Sequence, residues 1–432
     1  MVILGIETSC DETALSLLEV DESGTQPLFR VLAHKVLSQT IHAQFGGVFP
    51  MMAKREHGRN LIPLFQKVLK ESGFDSRSMI HESGIGKEEA RNHSDVLENL
   101  RIVLEREPEL SKQFVEFVPT LVKLKGLIDI IAVTTGPGLE PALWVGINFA
   151  RALSALWDIP IVPTNHMEGH IFAALIKHGE EAPNHKLQIP NREKFQIPDL
   201  PDRQAGSEFQ ILLPAFPAIA LLISGGHTEL VLMKEAGAYE VIGETRDDAV
   251  GEAFDKVARI MGLPYPGGPQ ISALAEQARR FENQDSGIRN QEFKLPRPMI
   301  KDASFDFSFS GLKTAVLYAV KKHGLLSDAD KSAMALEFEN AVTDVLVAKT
   351  KGAIEMYAAK TLILGGGVAA NIHIRSSLGK LVEEIGDVEL KIPETSLSTD
   401  NALMIAIAGY FSFRSQKTAS TEPLKASGRL RF

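Results

Sequence analysis

Asn165-His166-Met167-Glu168-Gly169-His170 places two imidazoles four residues apart. On an α-helix that spacing puts both on one face, about one turn apart, where they can share a metal ion. A third, oxygen ligand must come from elsewhere. Asp400, in Ser398-Thr399-Asp400-Asn401 ahead of the apolar stretch Ala402 to Tyr410, is a candidate. It has a second reading as a helix N-cap, because Ser, Thr, Asp and Asn all cap well. The same pair raises the idea of a zinc protease. In that pattern the glutamate follows the first histidine directly, about 100° round the helix, and reaches metal-bound water. Glu168 stands two residues on, about 200° round, and so points away from the metal face. Proteolysis is the weaker reading.

Other segments could hold a nucleotide. Leu222-Ile223-Ser224-Gly225-Gly226-His227-Thr228 and Gly365-Gly366-Gly367-Val368, with Asn371 following, are glycine-rich turns after short apolar runs. Such turns let backbone approach a ligand closely, and free N–H groups at a following helix favour an anion. Each is equally readable as a tight turn alone. Asp247-Asp248 and Gly251-Glu252-Ala253-Phe254-Asp255-Lys256 run into a helical pattern, followed by Pro266-Gly267-Gly268. The acidic residues either satisfy a helix dipole or bind ribose hydroxyls or magnesium. Phe305 to Thr314 alternates aromatic and polar residues as a half-buried, core-packing strand does. No Ser–His–Asp or Cys–His arrangement follows from spacing. Cys10, beside Asp11 and Glu12, is expected to have a raised pKa and to make a poor nucleophile.

The elements that must position these residues repeat. Ile3 to Ser9, followed by Asp11, Glu12 and Ala14 to Leu18, reads as strand, polar turn, returning strand. Ala218 to Met233 reads the same way about half a chain later. The expectation is α/β, two related lobes with a cleft between them, divided at 1–217 and 218–432. Leu110, Phe114, Phe117, Val118 and Leu121, and upstream Val96, Leu100, Val103 and Leu104, carry helical periods broken at Pro108. Residues 75–125 thus read as an inserted helical hairpin, with Pro119 an early stop. Residues 178–215, with prolines at 183, 190, 198, 201 and 214, read as an extended excursion.

Of 432 residues, 44% are apolar and 23% charged, ample for a core and unlike a disordered chain. No run of 18 apolar residues suggests a membrane span. The start, Met1 then Val2 to Ile6, lacks the pattern of a signal or organelle presequence, and the single cysteine fits a reducing compartment. A cytoplasmic protein is expected. The net charge of −9 lacks the overall basic footprint of nucleic-acid binders. Cations gather at the end, however. Arg414, Lys417, Lys425, Arg429 and Arg431 face only Glu422 between 412 and 432, a frayed solvated tail or a contact for an anionic partner.

Together the motifs resemble the universal tRNA threonylcarbamoyladenosine transferase family, within the actin/Hsp70/sugar-kinase-like ATPase superfamily. They are Gly5 to Thr13, Thr135-Gly-Pro-Gly-Leu139, Asn165 to His170, Leu222 to Thr228, Gly251 to Lys256, Tyr265 to Pro269, Asp306 to Thr314, Gly365 to Val368 with Asn371, and Thr399 to Asn401. Each is weak alone; in this order they are specific. The resemblance implies transfer of a threonylcarbamoyl group from threonylcarbamoyl-AMP to the exocyclic amine of the adenosine 3′ of the anticodon, position 37, in tRNAs reading ANN codons. It implies that His166, His170 and Asp400 hold one divalent ion, Fe2+ or Zn2+. It implies that Leu222, Ile223, Ser224, Gly225, Gly226, Asp255, Gly268 and Asn371 line an adenylate or ATP/ADP site, which Mg2+ could accompany. Asp11 and Glu12 match the acidic pair the family needs for activity. The partners implied are tRNA, an inactive paralogue subunit and a P-loop ATPase subunit.

Two positions depart from the family pattern: Met51 stands where an acidic residue is usual, and Glu140-Pro141 where a small pair is usual. A small-molecule kinase or carbamoyltransferase of the same superfamily would share the glycine turns. The histidine pair weighs against the kinase. An old reading of the family as a glycoprotease meets the Glu168 objection above.

Overall fold

The computed structural model describes residues 1–74, 98–178, 206–282, 293–415 and 424–432. Val96 and the prolines at 183, 190, 198 and 201 lie outside these residues. Within them the chain forms two compact units, each built on its own sheet.

The first unit carries β1 (Val2–Glu7), β2 (Glu12–Asp21), β3 (Leu28–Ser38), β4 (Ile130–Gly136), β5 (Ile161–Asn165), β6 (Ile176–His178) and β7 (Glu208–Ile211), in the order β5-β4-β1-β2-β3-β7-β6. β1 is central, antiparallel to β2 with Leu4 opposite Leu17 and parallel to β4 with Ile3 opposite Ile130. A strand paired on both sides and covered on both faces must be apolar along its length, which the run Ile3 to Ile6 satisfies. Glu7 is a fully buried exception.

Helices α1 (Pro50–Glu71), α2 (Pro108–Val122), α3 (Glu140–Trp157) and α4 (His166–Ala174) complete this part. Phe149 of α3 meets Phe65 of α1 and Phe114 of α2 edge-to-face at 5.9 and 6.0 Å. The described part of the expected helical hairpin is helical at residues 98–103 and again in α2. Pro119 does not stop α2. Val118 and Leu121 are buried against the core, and Trp157 Nε1 donates to the Leu121 carbonyl (2.8 Å), supplying a partner that the last turn lacks.

The second unit carries β8 (Ala218–Ile223), β9 (Thr228–Glu235), β10 (Ala238–Glu244), β11 (Thr361–Gly365) and β12 (Glu389–Lys391), in the order β10-β9-β8-β11-β12. β8 is antiparallel to β9 and parallel to β11, as β1 is to β2 and β4. The series β3-β2-β1-β4-β5 and β10-β9-β8-β11-β12 are therefore the same topology twice. The two related α/β lobes expected from the repeated strand–turn–strand signal are borne out.

Around this sheet lie α5 (Val250–Ile260), α6 (Gly267–Glu282), α7 (Ser310–His323), α8 (Asp328–Tyr357) and α9 (Ile372–Ile385). The strand expected over 305–314 is corrected. Only an isolated bridge between Thr245 and Phe307 forms, and α7 begins at Ser310. Asp247 accepts from the backbone N–H of Phe309 (2.8 Å) and Ser310 (3.1 Å) and from the hydroxyls of Ser308 and Ser310. That carboxylate satisfies the first turn of α7 and overrides the alternating pattern. Phe307 and Phe309 still pack in the core, fully buried.

The last helix, α10 (Ala402–Arg414), changes the domain boundary. The sequence reading assigns 218–432 to one lobe, but Asp400–Arg431 belongs to the first unit and Thr40–Val48 to the second. Residues Ala402 to Tyr410 are buried on every face, so the helix needs apolar cover all round. It finds that cover on the first sheet, where Gly5 of β1 admits it: a Cβ there would run into the Ala402 carbonyl oxygen. This return delivers Asp400 to α4. No helix among the described residues is long and apolar enough to cross a membrane.

Candidate metal centre

α4 starts where β5 ends. The Asn165 side chain caps it, accepting from the N–H groups of Met167 (2.9 Å) and Glu168 (3.3 Å). His166 and His170 follow on one face with ring centroids 4.7 Å apart, both buried. Gly169 between them lets α10 approach, since a Cβ there would press on Met404 and Ile405.

Asp400 Oδ1 lies 3.3 Å from His166 Nε2 and 3.2 Å from His170 Nε2. The two sequence readings of Asp400 are separated by its neighbour. Asn401 is the N-cap of α10, accepting from Met404 N at 3.0 Å. Asp400 is thereby left to face the histidines. Among the described residues, these three form the one group of three or more His, Cys, Asp or Glu whose ligand atoms converge, all within 4.8 Å of one another.

Sequence reasoning misses the residue behind them. Glu7 Oε2 lies 3.0 Å from His166 Nδ1, and Ser9 Oγ lies 3.3 Å from the same nitrogen. Glu7 also accepts from Ser9 N (2.5 Å) and Thr134 Oγ1 (2.6 Å). Next to a carboxylate, Nδ1 carries the proton, which leaves the Nε2 lone pair on the Asp400 side, where it could serve a metal ion. The only sequence signal is a charge at the end of a strand whose other residues are apolar.

The electrostatics favour a cation. Burial opposes charge on His166, but Asp400 and Glu7 outweigh it and hold its pKa well above the ordinary histidine value. Burial likewise works against an ionised Asp400, and the His166 charge overcomes it, keeping Asp400 below the usual carboxylate range. Glu7 is lowered by the same balance of burial against His166. His170 is lowered, chiefly by burial, and stays neutral. Its Nε2 makes no aligned hydrogen bond despite the closeness of Asp400, and its Nδ1 makes none. A buried neutral imidazole with an unsatisfied nitrogen, beside an ionised carboxylate and a second imidazole, fits a divalent metal ion.

Asp11 ends the turn between β1 and β2 and Glu12 opens β2, in the same unit. His57 of α1, fully buried, clamps this turn. Its Nε2 donates to the Cys10 carbonyl (2.9 Å), so its Nδ1 accepts from the Thr13 hydroxyl (2.8 Å). Gln39 N donates to the Asp11 carbonyl (3.0 Å), and the Gln39 amide reaches Ala53 O of α1 (3.2 Å). Burial first, then the Asp11 and Asp400 carboxylates, pushes the Glu12 carboxyl well up. The Cys10 thiol is also raised, by burial and then by Asp11 and Glu12, in line with the expectation from its neighbours.

The suggested nucleotide residues gather at one end of the second sheet. Ser224 Oγ accepts from Gly226 N (3.3 Å) and His227 N (3.1 Å), closing the turn after β8. Gly366, at φ +93°, packs on that turn's strand, where a Cβ would strike the Ile223 carbonyl. Asp255 accepts from Gly267 N (2.7 Å), tying α5 to the start of α6 beside Gly268. Gly225, Gly226, Gly268 and Gly367 each face open space where a Cβ would stand. Leu222 and Ile223 are core side chains, fully buried, so only their backbone could face a ligand. Asn371 caps α9 through Ile374 N (3.0 Å) and donates to Glu339 (2.7 Å) and Ser272 (2.8 Å). Asp247 serves α7 as described, and Asp248 pairs with Lys256 and Lys313.

The family model for tRNA N6-adenosine threonylcarbamoyltransferase matches residues 30–80, 115–189 and 205–407, most of the chain. The relative of that name from Bacillus subtilis (strain 168) is 38% identical over 417 residues, 96% of this chain and 91% of the relative. The chain belongs to the tRNA N6-adenosine threonylcarbamoyltransferase family. The Bacillus licheniformis threonylcarbamoyltransferase is 40% identical over 96% of this chain and 92% of its own. Among solved structures, full-length HypF in its phosphate- and nucleotide-bound form covers 71% of this chain at 12% identity with a TM-score of 0.43; this chain spans 42% of that protein. The threonylcarbamoyltransferases are enzymes, transferases that modify tRNA, and the histidine–aspartate centre described above belongs to a member of that family.

Proposed function

We propose that this chain moves a threonylcarbamoyl group from threonylcarbamoyl-AMP to the exocyclic amine of adenosine 37 in tRNAs reading ANN codons. Family membership supports the reaction class, and one observation supports the site. Asn401 takes the capping role, so Asp400 meets His166 and His170 with Glu7 behind. His166 Nε2, His170 Nε2 and the Asp400 carboxylate would hold the divalent ion, Fe2+ or Zn2+. When bound, such an ion supplies Lewis-acid polarisation of the carbamoyl carbonyl.

The residues then divide the work. Glu7 holds the Nδ1 proton of His166 and fixes its ring. The amine nitrogen of adenosine bonds to the carbamoyl carbon, and the bond from that carbon to the phosphate oxygen breaks, releasing AMP. AMP is already a good leaving group, so no protein nucleophile is needed. The amine must lose a proton, and Asp11 and Glu12, at the end of the turn clamped by His57, would accept it. Ser224, Gly225, Gly226, Asp255, Gly268, Asn371 and the backbone of Leu222 and Ile223 would take the adenylate or ATP/ADP, with Mg2+ where phosphates need it. Open space at the four glycines supports that role.

A cytoplasmic setting and protein partners, an inactive paralogue and a P-loop ATPase, complete the reading. They suit an acidic enzyme that shares its tRNA affinity with other subunits. The test supplies threonylcarbamoyl-AMP and unmodified tRNA to the protein with those partners, then digests the tRNA. Modified adenosine at position 37 is the expected product; unmodified tRNA from folded, metal-loaded protein would overturn the proposal.

A further inference from the structure

The basic end of the chain is not a frayed tail over residues 424–431. Leu424 and Ala426 pack on the core of the first unit. Ser427 N donates to Thr135 O (2.9 Å), and Gly138 N donates to Gly428 O (3.4 Å). Gly428 N donates to Glu140 Oε1 (3.2 Å), and Asn165 Nδ2 donates to the Arg431 carbonyl (3.3 Å). Gly136 is needed beneath the strap, because a Cβ there would run into the Ser427 carbonyl. Glu140, unusual against the family pattern, has this anchoring role.

Every hydrogen bond named uses backbone atoms of the strap. The side chains of Lys425, Arg429 and Arg431 stay exposed, and the stretch holds no acidic residue. Its position matters as much as its charge. It crosses the ends of β4 and β5, and the residue holding Arg431 is Asn165, the cap of α4 directly before His166. The main chain that carries these three cations is thus pinned along the ends of β4 and β5, with Arg431 held at the residue before His166.

We propose that this strap contacts phosphates of the tRNA around the target adenosine. The inference rests on the proposed function and names a contact surface for its macromolecular substrate. A chain with net charge −9 repels a polyanion at long range, so cations must be concentrated where the nucleic acid docks. Backbone anchoring suits the role, because it holds the strap in place by its main chain.

The test measures tRNA affinity of the full chain, with its partner subunits, across a salt series. The comparison is wild type against the triple variant Lys425→Ala, Arg429→Ala, Arg431→Ala. These side chains are exposed, so the fold should survive, which a cooperative thermal transition checks. The expected result is a loss of roughly tenfold or more at low salt, with a flatter dependence of log K on log salt, by about 0.7–0.9 for each phosphate that is no longer neutralised. Arg429→Lys with Arg431→Lys should keep most of the slope. Unchanged affinity and slope in the triple variant would overturn the proposal. Lost partner assembly with an unchanged tRNA slope would also overturn it and assign the strap to an acidic protein. Wild type that binds tRNA without modifying it would count against the proposed function, while the slope comparison would still decide the strap.

Discussion

Glu7 Oε2 stands 3.0 Å from Nδ1 of His166, on the far side of the ring from Asp400. The ring is therefore held between two carboxylates, one that fixes its proton and one that shares its ligand face. A residue of the first strand thereby backs a side-chain cluster whose other members come from α4 and the entry to α10.

Glu7→Gln should keep the shape of that contact and remove its charge. Metal affinity should fall about 10–100-fold, the usual effect of losing an outer partner of a histidine ligand. Titration against a competing chelator measures it. Wild-type affinity in the variant would mean that Glu7 merely fills space.

The roles of Asp400 and Asn401 can be pulled apart by two substitutions. Asn401→Ala should lower unfolding stability by about 1 kcal/mol, as loss of a cap does, and keep the metal stoichiometry. Asp400→Ala should lose the metal. If Asn401→Ala shed the metal and Asp400→Ala kept it, the assignment of ligand and cap would be reversed.

His57→Phe should leave metal content and the KM for tRNA near wild type while lowering kcat. It removes both hydrogen bonds to the Cys10–Thr13 turn, and a displacement of about 1 Å at a reacting group can cost on the order of 100-fold. His57→Gln, which can still donate to the Cys10 carbonyl, should recover part of the rate. A kcat unaffected by His57→Phe would separate the clamp from the chemistry.

Two kinds of glycine in the second unit should answer differently. Gly366→Ala puts a side chain at φ +93° and against the Ile223 carbonyl, so stability should drop by at least about 1–2 kcal/mol. Gly225→Ala meets open space and should fold normally, yet weaken adenylate binding. Equal melting temperatures and equal adenylate affinity for the two variants would remove the basis for a nucleotide cradle.

What can be read from the sequence follows physical locality. The i, i+4 spacing makes the histidine pair visible, because one helix fixes it. The paired lobes are visible because each opens with the same buried run and polar turn. Asp400 is ambiguous, since a residue before a helix reads as ligand or cap until its neighbour is placed. Glu7 escapes notice because only the long-range pairing of β1 with β4, and the arrival of α4, give its buried charge a partner. The alternation over 305–314 misleads for a similar reason: Asp247, some sixty residues earlier, caps α7. The boundary at 217 misses the return of α10, which depends on an apolar surface formed by the first sheet.

The central claim is that His166, His170 and Asp400 form the metal centre used in transfer. The most direct measurement follows labelled threonylcarbamoyl transfer to tRNA and bound metal together, for wild type, chelator-stripped wild type, re-metallated protein and His170→Ala. The account expects transfer in wild type, loss on stripping, recovery on re-metallation, and neither metal nor transfer in His170→Ala with the fold intact. Full transfer by stripped protein, or by His170→Ala without metal, would contradict it.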